Sequence, residues 1–139
     1  KRLTIPVVAN GEIWQVEDAL LCQQRSGCED LMLGRGALAT PDLAAKIKAK
    51  VNNECYEPLQ WEHVIYHILH SSMHQDPTAS EKYFSSRTKQ WLGYLKRQYP
   101  QAHHLFDEIK TFKAKQDVVS VLEKYAKQPS LDSNHTIIA

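Results

Sequence analysis

Apolar residues follow two different rhythms along this chain. Near its start they run almost unbroken, as Ile5, Val7, Val8 and Ala9 and again as Leu31, Met32 and Leu33. Runs that are apolar on both faces predict strands buried between layers, here over 4–9 and 30–33, with a helix over about 16–26 between them. Such a βαβ unit implies that the two strands lie parallel. Thr40-Pro41-Asp42 reads as a helix start, with Thr40 as N-cap and Pro41 in the first helical position, and that helix is expected to run to about Lys50. Beyond a loop at Asn52, Asn53 and Glu57-Pro58 the rhythm becomes helical throughout. Trp61, Val64, Ile65, Ile68 and Leu69 make one stripe on a helix of about 60–73, and Phe84, Trp91, Leu92 and Leu95 another on 79–98. A third stripe (Leu105, Phe106, Ile109, Phe112) and a fourth (Val118, Val119, Val121, Leu122, Tyr125) complete four amphipathic helices joined by short connections, the pattern of a small bundle.

The two early runs end alike. The first breaks at Asn10-Gly11-Glu12 and the second at Gly34-Arg35-Gly36, each followed by a helix. Glycines there permit tight turns and close backbone approach, and Arg35 offers a positive fork suited to phosphate. Asn-Gly alone is a common turn, and a lone G-x-G is weak. Together, at two successive strand ends, they match the loops that often build the phosphate site in eight-stranded α/β barrels. Two strands cannot close a sheet, so residues 1–52 read as the end of a larger barrel, followed by a helical domain over 53–127 and a loosely held tail over 128–139. The expected fold is mainly α with a small parallel β part: the last two β/α units of a (β/α)8 barrel, then a four-helix-bundle-like domain.

Charge refines this picture. The chain has 139 residues, 42% hydrophobic, and a formal net charge of +1, which carries no whole-chain signal for nucleic acid. The distribution is uneven, because acids gather at Glu12, Glu17, Asp18, Glu29 and Asp30 while every charge from 82 to 97 is basic. That segment suits either an anionic partner or a plain solvated helix face. No run approaches the roughly 20 apolar residues that a membrane span needs, and the expected location is cytoplasmic. Cys22, Cys28 and Cys55 have no disulfide or zinc spacing and read as reduced, mostly packing residues. His63, His67, His70 and His74 line one side of their helix, opposite the apolar stripe and towards solvent. No carboxylate or cysteine pattern completes a metal site there, so no metal is assigned.

The stretches IPVVANGEIW, GCEDLMLGRGAL and KQWLGYLKRQY, with the same spacing from about Ile5 to Lys110, together resemble the C-terminal part of bacterial tRNA-dihydrouridine synthases, closest to the C-type subfamily. Other FMN barrels share a glycine-rich phosphate loop but lack the basic helix after it. The resemblance implies an FMN-binding barrel and a helical domain that holds tRNA. It carries Asn10, Gly11, Glu12, Gly34 and Arg35 over as FMN-binding positions, and Arg87, Lys89, Tyr94 and Lys110 as tRNA contacts. It further implies reduction of the C5=C6 bond of a uridine in tRNA: NADPH reduces FMN, the flavin delivers hydride and a cysteine supplies the proton. None of the three cysteines here lies in that catalytic motif, so this chain is expected to be inactive alone. No protein partner is implied. Tyr94 reads either as a base- or ribose-packing ring or as an ordinary boundary aromatic. A non-catalytic RNA-binding helical module is the alternative to the enzyme.

Overall fold

The structure, a computed structural model, describes residues 5–74, 78 and 80–126. Thr4, Ala79 and the tail over 128–139 therefore lie outside the described residues. The chain divides into two compact units, Lys1–Pro58 and Leu59–Ala139.

In the first unit β1 (Val8–Ala9) pairs parallel with β2 (Asp30–Leu31), Val8 opposite Asp30 and Ala9 opposite Leu31. α1 (Val16–Ser26) makes the crossover, as its periodicity predicts. Asp18 starts it by accepting from the Trp14 and Gln15 amides at 3.0 and 3.1 Å, and Gly27 ends it in the left-handed region at φ 67°. The strands are much shorter than the sequence predicts. They are also not buried: Ile5, Val7 and Val8 are 68, 42 and 55% exposed, because each described strand has a single neighbour and the small core of Ile13, Ala19 and Leu43 lies towards the helices.

A second departure follows β2. α2 (Arg35–Ala39) begins directly at the GRG turn, and the Thr40 amide donates back to the Gly36 carbonyl at 2.8 Å. Thr40 therefore closes α2 instead of capping the next helix, and α3 (Leu43–Asn52) starts later than predicted. Asp42, just before it, holds Lys46 at 3.1 Å and accepts from the Tyr56 hydroxyl at 3.2 Å. Burial, with the charge and hydrogen bond of Asp42 behind it, pushes the Tyr56 phenol up to about 12.

The second unit contains α4 (Trp61–Met73), α5 (Glu81–Leu95), α6 (Gln101–Ile109) and α7 (Lys115–Tyr125). The four predicted stripes meet in one core, where Ile65, Ile68, Leu92, Leu95, Leu105, Ile109 and Leu122 are fully buried. Each such side chain contributes roughly 1.5–3 kcal/mol by leaving water. Polar reach fixes the ends: the Tyr99 hydroxyl donates to the Leu59 carbonyl at 3.2 Å, and the Lys115 ammonium donates to the Ser72 carbonyl at the end of α4. No helix of the described residues is long and apolar enough to cross a membrane.

Candidate functional site

The loops that leave β1 and β2 meet. Between them lies an open cavity of about 160 Å³ lined by Asn10, Glu12, Ile13, Trp14, Gly34, Arg35 and Gly36. Four of the five residues expected in the first loop pair line it; Gly11 does not, although it belongs to the same turn. Gly36 is the closest point of contact, since a Cβ built there would stand 1.9 Å from the Ile13 carbonyl oxygen. Only a glycine lets the two loops approach so nearly. Around Gly11 and Gly34 the opposite holds, a Cβ meeting nothing within 4 Å, so the backbone there has room for a ligand.

Turn freedom falls on an unexpected residue. Glu12, not Gly11, takes the left-handed conformation, at φ 44°. A non-glycine residue held there stores local strain and aims its side chain across the loops. Its carboxylate pairs with the Arg35 guanidinium and accepts from the Trp14 indole nitrogen at 2.9 Å, while Arg35 lies 5.5 Å from the Trp14 ring centre. Asn10 reaches across to the Met32 sulfur at 3.8 Å. The arrangement exposes a guanidinium beside the first turn of α2, where the Ala37 amide donates to the Gly34 carbonyl at 3.1 Å and the Arg35 and Gly36 amides precede the first bond of the helix. Trp14 gave no signal as a site residue in the sequence, being one aromatic at a loop edge.

In the second unit Arg87, Lys89 and Tyr94 divide between two sides of α5, and Lys110 lies at the end of α6. Arg87 is exposed and its guanidinium donates to the Gln90 side chain at 3.0 Å; Tyr94, half-buried, follows on the same side. Lys89 is only two positions from Arg87, a rotation of about 200°. It is half-buried, and its ammonium donates to the carbonyls of Lys110 at 3.3 Å and Phe112 at 2.7 Å. Lys89 thus caps the C-terminal end of α6, on the other flank of α5 from Arg87, and is not part of a fully solvated face. Lys96 likewise lies 3.4 Å from the centre of the Phe106 ring. Lys110 is exposed and pairs with Asp107 at 3.1 Å; that hydrogen bond and charge hold the Asp107 carboxyl below its usual range.

The histidine stripe is less open than its spacing predicts. His63 and His67 are half-buried, and only His70 and His74 are exposed, their rings 4.4 Å apart. Burial, then the nearby His63 and His70, lowers the His67 pKa. Among the described residues no group of three or more His, Cys, Asp or Glu could hold a metal ion. Cys22 and Cys28 are half-buried and Cys55 is exposed, in keeping with a reading in which most of the cysteines pack.

The family model described as dihydrouridine synthase matches residues 1–130. The chain belongs to the dihydrouridine synthase family. Among its relatives, a tRNA-dihydrouridine(16) synthase of Shewanella oneidensis is 40% identical over 124 residues, covering 89% of this chain and 38% of the relative. The protein of that name in Pasteurella multocida is 45% identical over 112 residues (80% of this chain, 34% of the relative), and that in Yersinia pestis 39% over 124 (89% and 38%). The chain spans little more than a third of the length of these dihydrouridine synthases.

Proposed function

We propose that this chain is the C-terminal part of a tRNA-dihydrouridine(16) synthase of the C-type subfamily, an FMN-dependent and NADPH-driven oxidoreductase acting on tRNA in the cytoplasm. In this reading residues 1–52 are the last two β/α units of its barrel, residues 53–127 are the helical tRNA-binding domain, and the proton-donating cysteine belongs to the remainder of the enzyme. The observation that carries it is the meeting of two loops from neighbouring parallel strand ends around Arg35, in a chain of this family. The exposed faces of β1 support a sheet that continues.

The residues present fit the phosphate end of FMN. Arg35 supplies charge, the amides around Gly34 and Arg35 supply donors, and the open space over Gly11 and Gly34 admits a ligand close to the backbone. Glu12 accepts hydrogen bonds only, so it suits a hydroxyl group rather than a phosphate, and it keeps Arg35 directed at the cavity. Asn10 adds an amide at the rim. When bound, FMN supplies the hydride for reduction of the uridine C5=C6 bond.

The tRNA side rests on Arg87, Tyr94 and Lys110, with Lys89 keeping a third N–H available beyond its two carbonyl bonds. Removing one phosphate-contacting cation flattens a plot of log affinity against log salt by about 0.7–0.9. In the full-length enzyme, Arg87→Ala is expected to weaken binding of unmodified tRNA and to flatten that plot by this amount, with FMN still bound. Wild-type affinity and slope in this variant would remove α5 from the tRNA surface.

A further inference from the structure

The outward side of α5 carries more than the two residues so far assigned to it. Tyr83, Arg87, Gln90 and Tyr94 stand at intervals of four, three and four residues. At about 100° per residue all four fall within roughly 60° of one another, making one straight stripe about 16 Å long. The buried arc, with Phe84, Ser85, Thr88, Leu92 and Leu95, lies on the other side of the helix. Tyr83 is 51% exposed, and it comes one turn before Arg87. The bond from Arg87 to Gln90 runs along the stripe itself and holds the guanidinium between the two tyrosines. From 82 to 106 the sequence contains no acidic residue, so nothing in this stretch of chain opposes an anionic partner.

We infer that Tyr83 is a second aromatic contact to the tRNA, one whose ring packs on an exposed base or ribose on the far side of Arg87 from Tyr94. The inference rests on the proposal that this helical unit binds tRNA. A ring, a cation and a ring in line are the elements by which proteins follow a nucleotide strand: the guanidinium meets a phosphate, and each ring offers a face for stacking. The basic, acid-free stretch of chain around the stripe favours an anionic strand as its partner. Tyr83 is more exposed than the half-buried Tyr94, and it takes no part in the hydrophobic core. Its ring is therefore not required for packing, and its removal is expected to leave the helix intact.

The test is tRNA binding by the full-length enzyme over a salt series, with unmodified tRNA as the probe. Tyr83→Ala is expected to weaken binding about 5- to 150-fold, the range for one stacked base, with the salt slope unchanged. Tyr83→Phe keeps the ring and is expected to stay within about threefold of wild type, whereas Tyr83→Leu, apolar but without a π-face, should fall with the alanine variant. Circular dichroism melts of all three are expected to match wild type, and whichever of the alanine and leucine variants folds carries the test. If wild-type enzyme fails to bind tRNA, the proposed function itself falls. If wild type binds, Arg87→Ala weakens it and Tyr83→Ala binds like wild type, only the role of Tyr83 is overturned. A phenylalanine variant as weak as the alanine one would overturn the ring contact.

Discussion

Gly36→Ala is expected to empty the proposed flavin site. The added methyl would stand 1.9 Å from the Ile13 carbonyl oxygen and 3.1 Å from the Trp14 Cα, and these are backbone atoms that no rotamer change can move aside. The two loops must therefore part. Overpacking of this kind costs about 1–3 kcal/mol, and more where backbone has to shift. Glu12 and Trp14 lie next to the point of collision, so the pairing with Arg35 is displaced along with the loop. In the full-length enzyme the expected result is a fall in FMN affinity of tenfold or more by fluorescence titration, with a lowered melting temperature. Gly93→Ala, in α5 and outside the two loops, is the control, because its Cβ meets nothing within 4 Å and so leaves the fold and the cavity unaltered. Wild-type FMN affinity in the Gly36 variant would mean that the approach of the two loops is irrelevant to the cofactor.

Lys89→Met should have the second largest effect, and an effect of a different kind from that of Arg87→Ala. The ammonium of Lys89 joins α5 to the end of α6 through two carbonyls more than 20 residues away in sequence. Helix C-termini leave carbonyls without partners, and bonds from a charged donor to such groups contribute roughly 1.5–3 kcal/mol. Methionine keeps the length of the stem but supplies no donor. The variant is expected to unfold at a lower denaturant concentration and to bind tRNA less well, whereas Arg87→Ala loses tRNA affinity at unchanged stability. An unaltered unfolding midpoint for Lys89→Met would show that the cap contributes nothing to stability.

Periodicity made the helical half legible. Each stripe named from spacing, from Trp61 to Tyr125, reaches the common core and lies on a helix of the structure, except that Phe112 packs from the turn beyond α6, because the signal is local and repeated along each helix. The β part was legible in kind but not in extent. Val8–Ala9 pairs parallel with Asp30–Leu31 as a βαβ unit requires, yet strand length depends on neighbours that an apolar run does not specify. The start of α3 was misplaced by competition, since Thr40, a good N-cap by type, is taken by the end of α2.

At the site, residue types foretold the loops but not how they interact. The encounter of Gly36 with Ile13 and the pairing of Glu12 with Arg35 join positions 23 residues apart, and no local pattern encodes them. Lys89 shows the same limit from the other side. Its charge made it a candidate for RNA, while its position on the helical wheel, about 200° from Arg87, already separated the two. What spacing alone did not contain was the waiting carbonyls of Lys110 and Phe112.

The most direct measurement is of position 16 itself. The full-length gene would be expressed in a bacterial strain lacking its own tRNA-dihydrouridine(16) synthase, and that position of the purified tRNA read by nuclease digestion and mass spectrometry. The account predicts a gain of two mass units at uridine 16, from reduction of one double bond, and the loss of that gain in the Gly36→Ala enzyme. Unreduced uridine at position 16 in cells making folded, FMN-loaded wild-type enzyme would contradict it.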